Sequence, residues 1–496
     1  MREFRKLLSV LVLVFVLVLM FAPTMLSCRR SCMVCGVEVL PGWEYVRPIV
    51  VEERFGVDLI NYPVRVVLNS SSFDFGKVNP DGSDLRITDS YGNFLPFYIA
   101  VWDYGRLAVI WIKVYSIPAN SKTLIYMYYG NPGAEPPPYS MDDVFEFMEV
   151  RTITVPEKSV PDEWFWFSFL HEFRNVPVVI AEPDLTFNGP EELRWRLKDI
   201  NTTGFHIAQQ EPGNRDNIHA SENVTYIAVP EGSWLAIYNI SSGEGVRVEA
   251  GKFQTSNWVS GDGDSGTWTT VEYYYGFSES PVVFTQIQDF TYTGEAHTRI
   301  TDVGTLSFKT APEPQGNVLT PPSTLVTVGW VAVEKHVVSG FSEAGVGVWT
   351  DEVWSQIIFQ QTYSRPPHVV AWMQTYLGGD SSGVRGKGLT VEGVYVKVEE
   401  DTTYDFETDH VDEAIGYYAV SSEISKIYLR PYVPKEPKVV LGREVRLAEV
   451  PVVGGVLLVS SEDLLASRST VSKTCIVAML ALVALTYAVI VRSRRM

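Results

Sequence analysis

WSQIIFQQTYSRPPHV, at residues 354–369, decides the fold, because its spacing occurs twice more in the chain. The related stretches are WFWFSFLHEFRNVPVV at 164–179 and WTTVEYYYGFSESPVV at 268–283. Each has a tryptophan thirteen residues before a proline, aromatics eight and four residues before it, and a valine two residues after it. A spacing that is kept three times indicates one small module that was copied and has since diverged.

The frame continues beyond each proline. An apolar residue follows 27 or 28 positions later, and an alanine follows 51 or 52 positions later. Apolar residues near these anchors alternate with the strand period of two, and clusters of Gly, Asn, Asp, Ser and Pro separate the runs. The pattern predicts an all-β chain, a string of antiparallel β-sandwich domains, with Trp164, Trp268 and Trp354 as core aromatics.

A positive charge also recurs 18 or 19 residues after each proline, at Arg196, Arg299 and Arg385. One interpretation is an arginine that binds a ligand in each copy. The other is a structural arginine whose stem covers a sheet while its guanidinium pairs with a carboxylate. We favour the structural role, because the loops differ between copies while the arginine keeps its place.

The repeated frame resembles the H-type lectin module, which carries an aromatic before Pro-Pro-x-Val, then Thr-Gly-Phe and Trp-Ile-Ala. The matching residues are Tyr363 with Pro366-Pro367-His368-Val369, Thr203-Gly204-Phe205 and Trp330-Val331-Ala332. The resemblance implies a β-sandwich and, by itself, no activity. No single copy carries the whole pattern, and none of that family's sugar-contacting residues can be placed on this sequence.

Residues 41–136 form a separate β-rich unit. Its marks include Trp43-x-Tyr45-x-x-Pro48-Ile49, the acidic run Asp81–Asp89 and the strand-like run Ile125–Pro132. These marks resemble the extracellular family catalogued as domain of unknown function 2341, which implies a secreted or membrane-tethered protein without an assigned activity.

The acidic run has two interpretations. Asp81, Asp84 and Asp89 offer oxygen ligands for a calcium ion. Their spacing is not that of a calcium loop, so we favour turn hydrogen bonds by Asp81 and Ser83 and an Asp84–Arg86 pair.

Both ends of the chain are hydrophobic. Basic residues and an apolar run predict a signal segment over 1–27, which is either cleaved or retained as an anchor. A second apolar run predicts a transmembrane helix over 474–491. Arginines follow it directly, so we expect a single-pass protein of the cell membrane, with its ectodomain outside and its short basic tail in the cytoplasm.

The remaining segments are three β-repeats at 150–240, 264–337 and 345–425, and a membrane-proximal stalk at 431–473. Cys32 and Cys35 predict a local disulfide or a lipidation region. Four asparagines begin Asn-x-Ser/Thr triplets, the pattern of a glycan acceptor: Asn69, Asn201, Asn223 and Asn239.

The composition and motifs exclude several classes of function. A net charge of −19 without a basic patch argues against nucleic-acid binding. The seven histidines show no paired zinc spacing, and no nucleophile elbow or phosphate loop is present. The acidic stretch Gly261–Gly266 either chelates a cation or, as we prefer, is a flexible loop. We therefore expect no catalytic residue, cofactor or bound metal, and no enzymatic activity.

Three functions fit this organisation. The first is a structural or adhesive surface protein that presents a contact face to other surface proteins. The second is a multivalent carbohydrate-binding protein whose weak sites gain strength through avidity. The third, which the sequence supports least, is a cell-surface glycoside hydrolase, because no pair of carboxylates stands out.

Overall fold

The computed structural model describes residues 34–38, 40–260, 266–315, 318, 320–403, 409–449, 452–453 and 456–460. The chain divides into two compact units: Met141–Glu436 forms the second, and the segments before and after it form the first. The predicted signal segment, the predicted membrane helix, Cys32 and Gly261–Ser265 lie outside the described residues. Within the described residues, no helix is long and apolar enough to cross a membrane.

The predicted all-β architecture is confirmed. Helical structure in the described residues is limited to the single turn α1 (Met141–Val144) and two 3-10 turns, Phe75–Lys77 and Leu447–Glu449. The strands are β1 (Val34–Glu38), β2 (Tyr45–Glu52), β3 (Leu59–Asn69), β4 (Arg86–Asp89), β5 (Phe97–Asp103), β6 (Leu107–Ile117), β7 (Lys122–Tyr129), β8 (Glu146–Val155), β9 (Phe165–Ser168), β10 (Val178–Asp184), β11 (Arg194–Lys198), β12 (Gly204–Gln210), β13 (Glu222–Val229), β14 (Gly232–Asn239), β15 (Glu244–Thr255), β16 (Thr269–Glu272), β17 (Val282–Ile287), β18 (Ala296–Thr301), β19 (Ser307–Pro314), β20 (Val326–Val333), β21 (His336–Val338), β22 (Ser342–Thr350), β23 (Ser355–Ile358), β24 (His368–Met373), β25 (Ser382–Lys387), β26 (Gly393–Glu400), β27 (Glu413–Val420), β28 (Lys426–Pro431), β29 (Lys438–Leu441), β30 (Val445–Arg446), β31 (Val452–Val453) and β32 (Val456–Ser460).

The first unit contains three antiparallel sheets. One has the strand order β29-β2-β7-β4 with β30 also on β2, the second is β3-β6-β5, and the third is β1-β32-β31. Strands β29 and β30 fall inside the predicted stalk 431–473, and that prediction is wrong for them. Their apolar residues extend the edge of a sheet, as in the pairing of Val440 with Val50, which buries more apolar surface than an isolated stalk would.

The second unit contains the three repeats as six-stranded sandwiches. We call them the first copy (146–229), the second copy (244–333) and the third copy (342–420). Each has three inner strands, which we call its inner sheet, namely β8-β13-β10, β15-β20-β17 or β22-β27-β24, and an outer sheet, namely β9-β12-β11, β16-β19-β18 or β23-β26-β25. The first two inner sheets are the ends of one eight-stranded sheet, β10-β13-β8-β28-β14-β15-β20-β17, and β21 extends the third. The second copy begins with β15, well before the predicted start at 264, because its first strand precedes the tryptophan that marks the frame.

Hydrogen-bond register explains why the frame is kept. The alanine anchor lies in the middle strand of each inner sheet and faces the valine anchor of the edge strand: Val179 pairs with Ala228, Val283 with Ala332, and Val369 with Ala419. A shift of one residue would move every side chain of the strand to the opposite face. The pairing therefore fixes the face on which each anchor lies, while the loops between the paired strands absorb the one-residue difference between copies.

The copies pack together in one unit, so the predicted string of separate domains is wrong for them. Every residue of edge strands β10 and β17 is buried, without the alternation of a sheet that faces water. A single apolar core runs through all three copies and includes Val178, Val282 and Val370. The inner sheets therefore face their own outer sheets on one side and neighbouring copies on the other.

Candidate functional site

The contacts between the copies repeat as a cycle. We call the contact of the first with the second copy the first joint, that of the second with the third the second joint, and that of the third with the first the third joint. Each joint is built from the positions that recur in the sequence, as the following contacts show.

Glutamine side chains cover both edge strands of the eight-stranded sheet, β10 and β17. Gln288 of the second copy accepts from the Val179 N–H at 3.0 Å and donates to the Val179 carbonyl at 2.8 Å. Gln374 of the third copy does the same to Val283, at 2.8 and 2.7 Å. At the third joint, Thr225 of the first copy covers the edge strand in place of a glutamine, because its hydroxyl accepts from the Val369 N–H at 3.2 Å. The edge strands are thus blocked from pairing with other chains.

The recurring arginines reach across the joints. Arg196 donates to the backbone carbonyls of Tyr292 and Gly294 in the next copy, at 2.8 and 2.5 Å. Arg299 donates to the Asp380 carbonyl of the third copy at 3.3 Å. Arg385 closes the cycle, because it donates to the Glu191 carbonyl of the first copy at 2.5 Å. All three are buried, which excludes the alternative of a ligand-binding arginine at the surface.

The recurring tryptophans also belong to the joints. Each meets an aromatic ring of the next copy edge-on: Trp164 and Phe290 at 4.9 Å, Trp268 and Tyr376 at 5.0 Å, Trp354 and Phe187 at 5.0 Å between ring centroids. The recurring arginine lies over that same ring, at 4.9, 4.4 and 4.7 Å. The tryptophans are half-buried, so the prediction that they are core aromatics of single modules is wrong. Their burial is completed by a neighbouring copy.

The joints differ in their charges. Arg299 forms ion pairs with Glu313 and Glu413 at 3.1 and 3.3 Å. Burial lowers the pKa of Arg299, but these carboxylates outweigh it and raise the pKa above its ordinary value. Arg385 is likewise paired, with Asp184 and Glu399, both at 2.7 Å.

Arg196 lacks such a partner. The residue at the position of Glu313 is Gln210, whose amide oxygen accepts from Arg196 at 2.5 Å. Burial lowers the pKa of Arg196 to about 10. The first joint therefore holds a buried cation by carbonyl oxygens and a ring face, without an ion pair in the described residues.

Three buried glutamates were missed by the sequence analysis. Glu149, Glu249 and Glu343 pair in register with the three alanine anchors. Their carboxylates accept from backbone N–H groups after the outer-sheet strand, for example Leu170, Tyr274 and Gln360. They precede the tryptophans by different numbers of residues, so no fixed spacing could reveal them. Each ties its inner sheet to a turn of the same sandwich.

A second missed feature is a buried cluster beside the third joint. Ligand-type atoms of Glu191, Glu211 and His219 all lie within 4.8 Å of one another. His219 Nδ1 is 2.8 Å from Glu211 Oε1, and its Nε2 is 3.5 Å from Glu222 Oε1. Glu211 and His219 are buried, and Glu211 Oε2 and His219 Nε2 have no hydrogen-bond partner.

The acidic run of the first unit holds two turns together. Asp84 is fully buried and accepts from the N–H groups of Asn79, Gly130 and Asn131 at 2.8, 2.7 and 3.1 Å. The expected turn bond from Ser83 N–H to Asp81 is present at 3.0 Å. Asp84 therefore caps backbone groups instead of forming the predicted hydrogen-bonded pair with Arg86, which donates to carbonyls including that of Ser83.

The predicted glycan acceptors occupy two environments. Asn69, Asn201 and Asn239 are exposed next to turns, where each side-chain oxygen accepts from a nearby N–H. Asn223 is half-buried within β13 and accepts from the Thr154 hydroxyl at 2.7 Å. Cys35 lies on β1, and its predicted partner Cys32 is outside the described residues. Glycosylation at the four asparagines and the disulfide stay predictions.

Comparisons with known proteins match a segment that runs from the first unit into β8 of the second. Residues 81–158 match the family described as Domain of unknown function (DUF2341), which confirms the resemblance inferred from the sequence marks. The chain is also similar to Halomucin of Haloquadratum walsbyi, with 27% identity over 373 residues. That match covers 71% of this chain and 4% of Halomucin, so the chain spans a small part of that relative's length. No solved structure matches the chain.

Proposed function

We propose that the protein is a membrane-anchored cell-surface protein without enzymatic activity. Its second unit is a rigid structural or adhesive body that the apolar segment 474–491 tethers to the outer face of the membrane. The similarity to Halomucin and the match to DUF2341 fit a surface protein with a β-rich ectodomain. The partners would be other surface proteins, whereas glycans would be the partners under the alternative below.

The cyclic set of joints carries this proposal. The recurring tryptophans, arginines and valines contact the neighbouring copy, and the arginines are almost completely buried. A site for a repeated ligand would instead require recurring residues that are exposed. The repeated features thus build a stiff body, and recognition is left to loops that differ between the copies.

Carbohydrate binding is the alternative, and exposed tryptophans favour it. Trp166 of the first copy is 41% exposed and Trp349 of the third copy is 54% exposed. An exposed indole offers a flat apolar face, which suits the apolar face of a sugar ring. These two tryptophans do not recur at equivalent positions, so they would form different sites.

Surface labelling tests the location. Intact cells of the native host are treated with a membrane-impermeant amine-reactive biotin, and the labelled chain is sought in the membrane fraction. We expect labelling before lysis, because lysines such as Lys435 are exposed. Labelling that requires lysis would refute the proposed location.

A glycan array separates the two functions. The purified full chain is compared with a Trp166→Ala/Trp349→Ala double variant and with Tyr91→Ala, a control aromatic that is 85% exposed in the first unit. The structural or adhesive function predicts no saturable binding by any form. Saturable binding that the double variant loses and the control keeps would establish the alternative.

A further inference from the structure

We propose that Glu191, Glu211 and His219 bind one divalent transition-metal ion, with Zn²⁺ as the preferred ion and Mn²⁺ as the second choice. The site lies in the first copy beside the third joint.

The donor set suits such an ion. One imidazole nitrogen and two carboxylate oxygens are ligands that Zn²⁺ accepts, with bonds of about 2.0–2.2 Å and a fourth position left for water. Tetrahedral ligands at that bond length lie roughly 3.3–3.6 Å apart. The three donor atoms are already within 4.8 Å of one another, so a small contraction of the side chains would complete the coordination.

Two buried polar atoms are without partners in the arrangement as it stands. Glu211 is 0% exposed and His219 is 2% exposed, yet Glu211 Oε2 and His219 Nε2 have no hydrogen bond. A buried polar atom without a partner costs free energy, because it has lost its hydrogen bonds to water. An ion coordinated by these residues would remove that cost, and half-buried Glu191 leaves a route for it from solvent.

The surrounding charges favour a cation. Glu222 adds a third carboxylate, whose Oε1 lies 3.5 Å from His219 Nε2. The nearby Lys158 ammonium is held by the Gln209 carbonyl and the Asn217 amide oxygen, at 2.8 and 2.7 Å. Arg385 pairs with Asp184 and Glu399 at 2.7 Å, and its Nη2 lies 4.0 Å from Glu222 Oε1. The carboxylates of the cluster are therefore only partly compensated.

The third copy supplies a comparison within the same chain. His410 precedes Glu413 by three residues, as His219 precedes Glu222, and each ring lies over a glycine, Gly378 or Gly189. Both nitrogens of His410 have partners: Ser382 Oγ at 2.9 Å and the Val411 carbonyl at 2.7 Å. The residue that corresponds to Ser382 in the first copy is Leu193, which offers no hydroxyl. In the described part of the chain, His219 Nε2 thus faces only the Glu222 carboxylate, at 3.5 Å, where His410 Nε2 has a hydroxyl partner at 2.9 Å.

The site would stabilise the third joint. Glu191 precedes β11, and its carbonyl accepts from Arg385 of the third copy. The next residue, Glu192, accepts from the Thr402 hydroxyl at 2.8 Å. An ion that fixes Glu191 against Glu211 and His219 would hold these acceptors in place for the neighbouring copy.

The test measures metal binding by the full chain. To remove competing thiolates, all forms carry Cys28→Ser, Cys32→Ser and Cys35→Ser, and bound metal is removed by a chelator before equilibrium dialysis against Zn²⁺, Mn²⁺ or Ca²⁺. We expect one Zn²⁺ per chain, weaker Mn²⁺ binding and little Ca²⁺ binding. At one hundred times Kd, Zn²⁺ should raise Tm by about 5 °C.

Variants locate the site. His219→Gln should weaken Zn²⁺ binding by about tenfold or more and reduce the Tm rise at the same Zn²⁺ concentration by about half or more, whereas His410→Gln should leave both unchanged. Glu191→Gln, at a half-buried position, provides a second test should His219→Gln fail to fold. No retained Zn²⁺ in the folded parent, equal losses in the two histidine variants, or full binding in Glu191→Gln would overturn the proposal.

Discussion

The first and second joints use the same frame in two electrostatic ways. In the second joint, Arg299 lies over Tyr376 and pairs with Glu313 and Glu413. In the first joint, Arg196 lies over Phe290 and is held by carbonyl and amide oxygens. The ring, the backbone acceptor and the arginine are kept, while the carboxylates are not. A joint with the same stacking and backbone hydrogen bonds therefore forms without the ion pair.

We expect the largest effect from substitution of the recurring arginines, which tests whether the two joints differ electrostatically. Arg299→Met would leave Glu313 and Glu413 buried without their cation, which typically costs about 3–5 kcal/mol. Arg196→Met leaves neutral acceptors behind, so we expect a loss of about 1–2 kcal/mol. Urea unfolding of the full chain, followed by tryptophan fluorescence, measures both. Equal losses would show that the carboxylates do not distinguish the joints.

A second pair of variants tests the glutamine side chain that covers an edge strand in both the first and the second joint. Gln288→Ala and Gln374→Ala each expose a buried N–H and carbonyl of an edge strand, Val179 or Val283. We expect each to reduce the free energy of unfolding by about 2–3 kcal/mol, and by similar amounts. The same urea titration applies. A difference of more than about 1.5 kcal/mol between them would contradict a common role.

The third joint should respond to pH through His368. Burial lowers the pKa of His368 to about 4 from 6.5, and Arg151 adds to this. Its Nδ1 accepts from the Thr152 N–H at 3.1 Å, which requires an unprotonated nitrogen. Because the folded pKa is depressed, the unfolded chain takes up the proton first as the pH falls. The stabilisation is complete above about pH 6.5 and is lost between pH 6.5 and 4.

The measurement compares the wild type with His368→Asn, which keeps an acceptor but does not titrate. Between pH 7.5 and 4.5, we expect the wild type to lose on the order of 2 kcal/mol more than the variant, since partial exposure reduces the full effect. Parallel pH profiles would show that this histidine does not control the joint.

We expect the smallest effect from a substitution that gives the first joint the carboxylate of the second. Gln210→Glu places a carboxylate where the second and third copies have Glu313 and Glu399. The new ion pair with Arg196 should raise the free energy of unfolding by about 1 kcal/mol, because desolvation of the carboxylate offsets most of the attraction. The control is the same substitution combined with Arg196→Met, which should be destabilising. A stability gain that persists without Arg196 would disprove the ion-pair explanation.

The sequence predictions succeed where the interacting residues keep a regular spacing along the chain, and they fail where the contact is made with another copy. The valine and alanine anchors predict strands because they pair directly in register. The sequence predicts the recurring tryptophans as core residues of single modules, because it does not show that a neighbouring copy covers each half-buried ring. The buried glutamates and the cluster of Glu191, Glu211 and His219 lie in segments of variable spacing, where the frame gives no guide.

The sequence alone determined that the chain is β-rich, that one module occurs three times and that the N-terminal region resembles DUF2341. These properties depend on local alternation, on turn residues and on pairings whose spacing along the chain is constant. Only the tertiary structure decided that the copies close into a cycle, and that Arg385 of the third copy returns to the first. Closure depends on side chains that are buried between segments far apart in the chain. No periodicity in the sequence shows which distant segments come into contact.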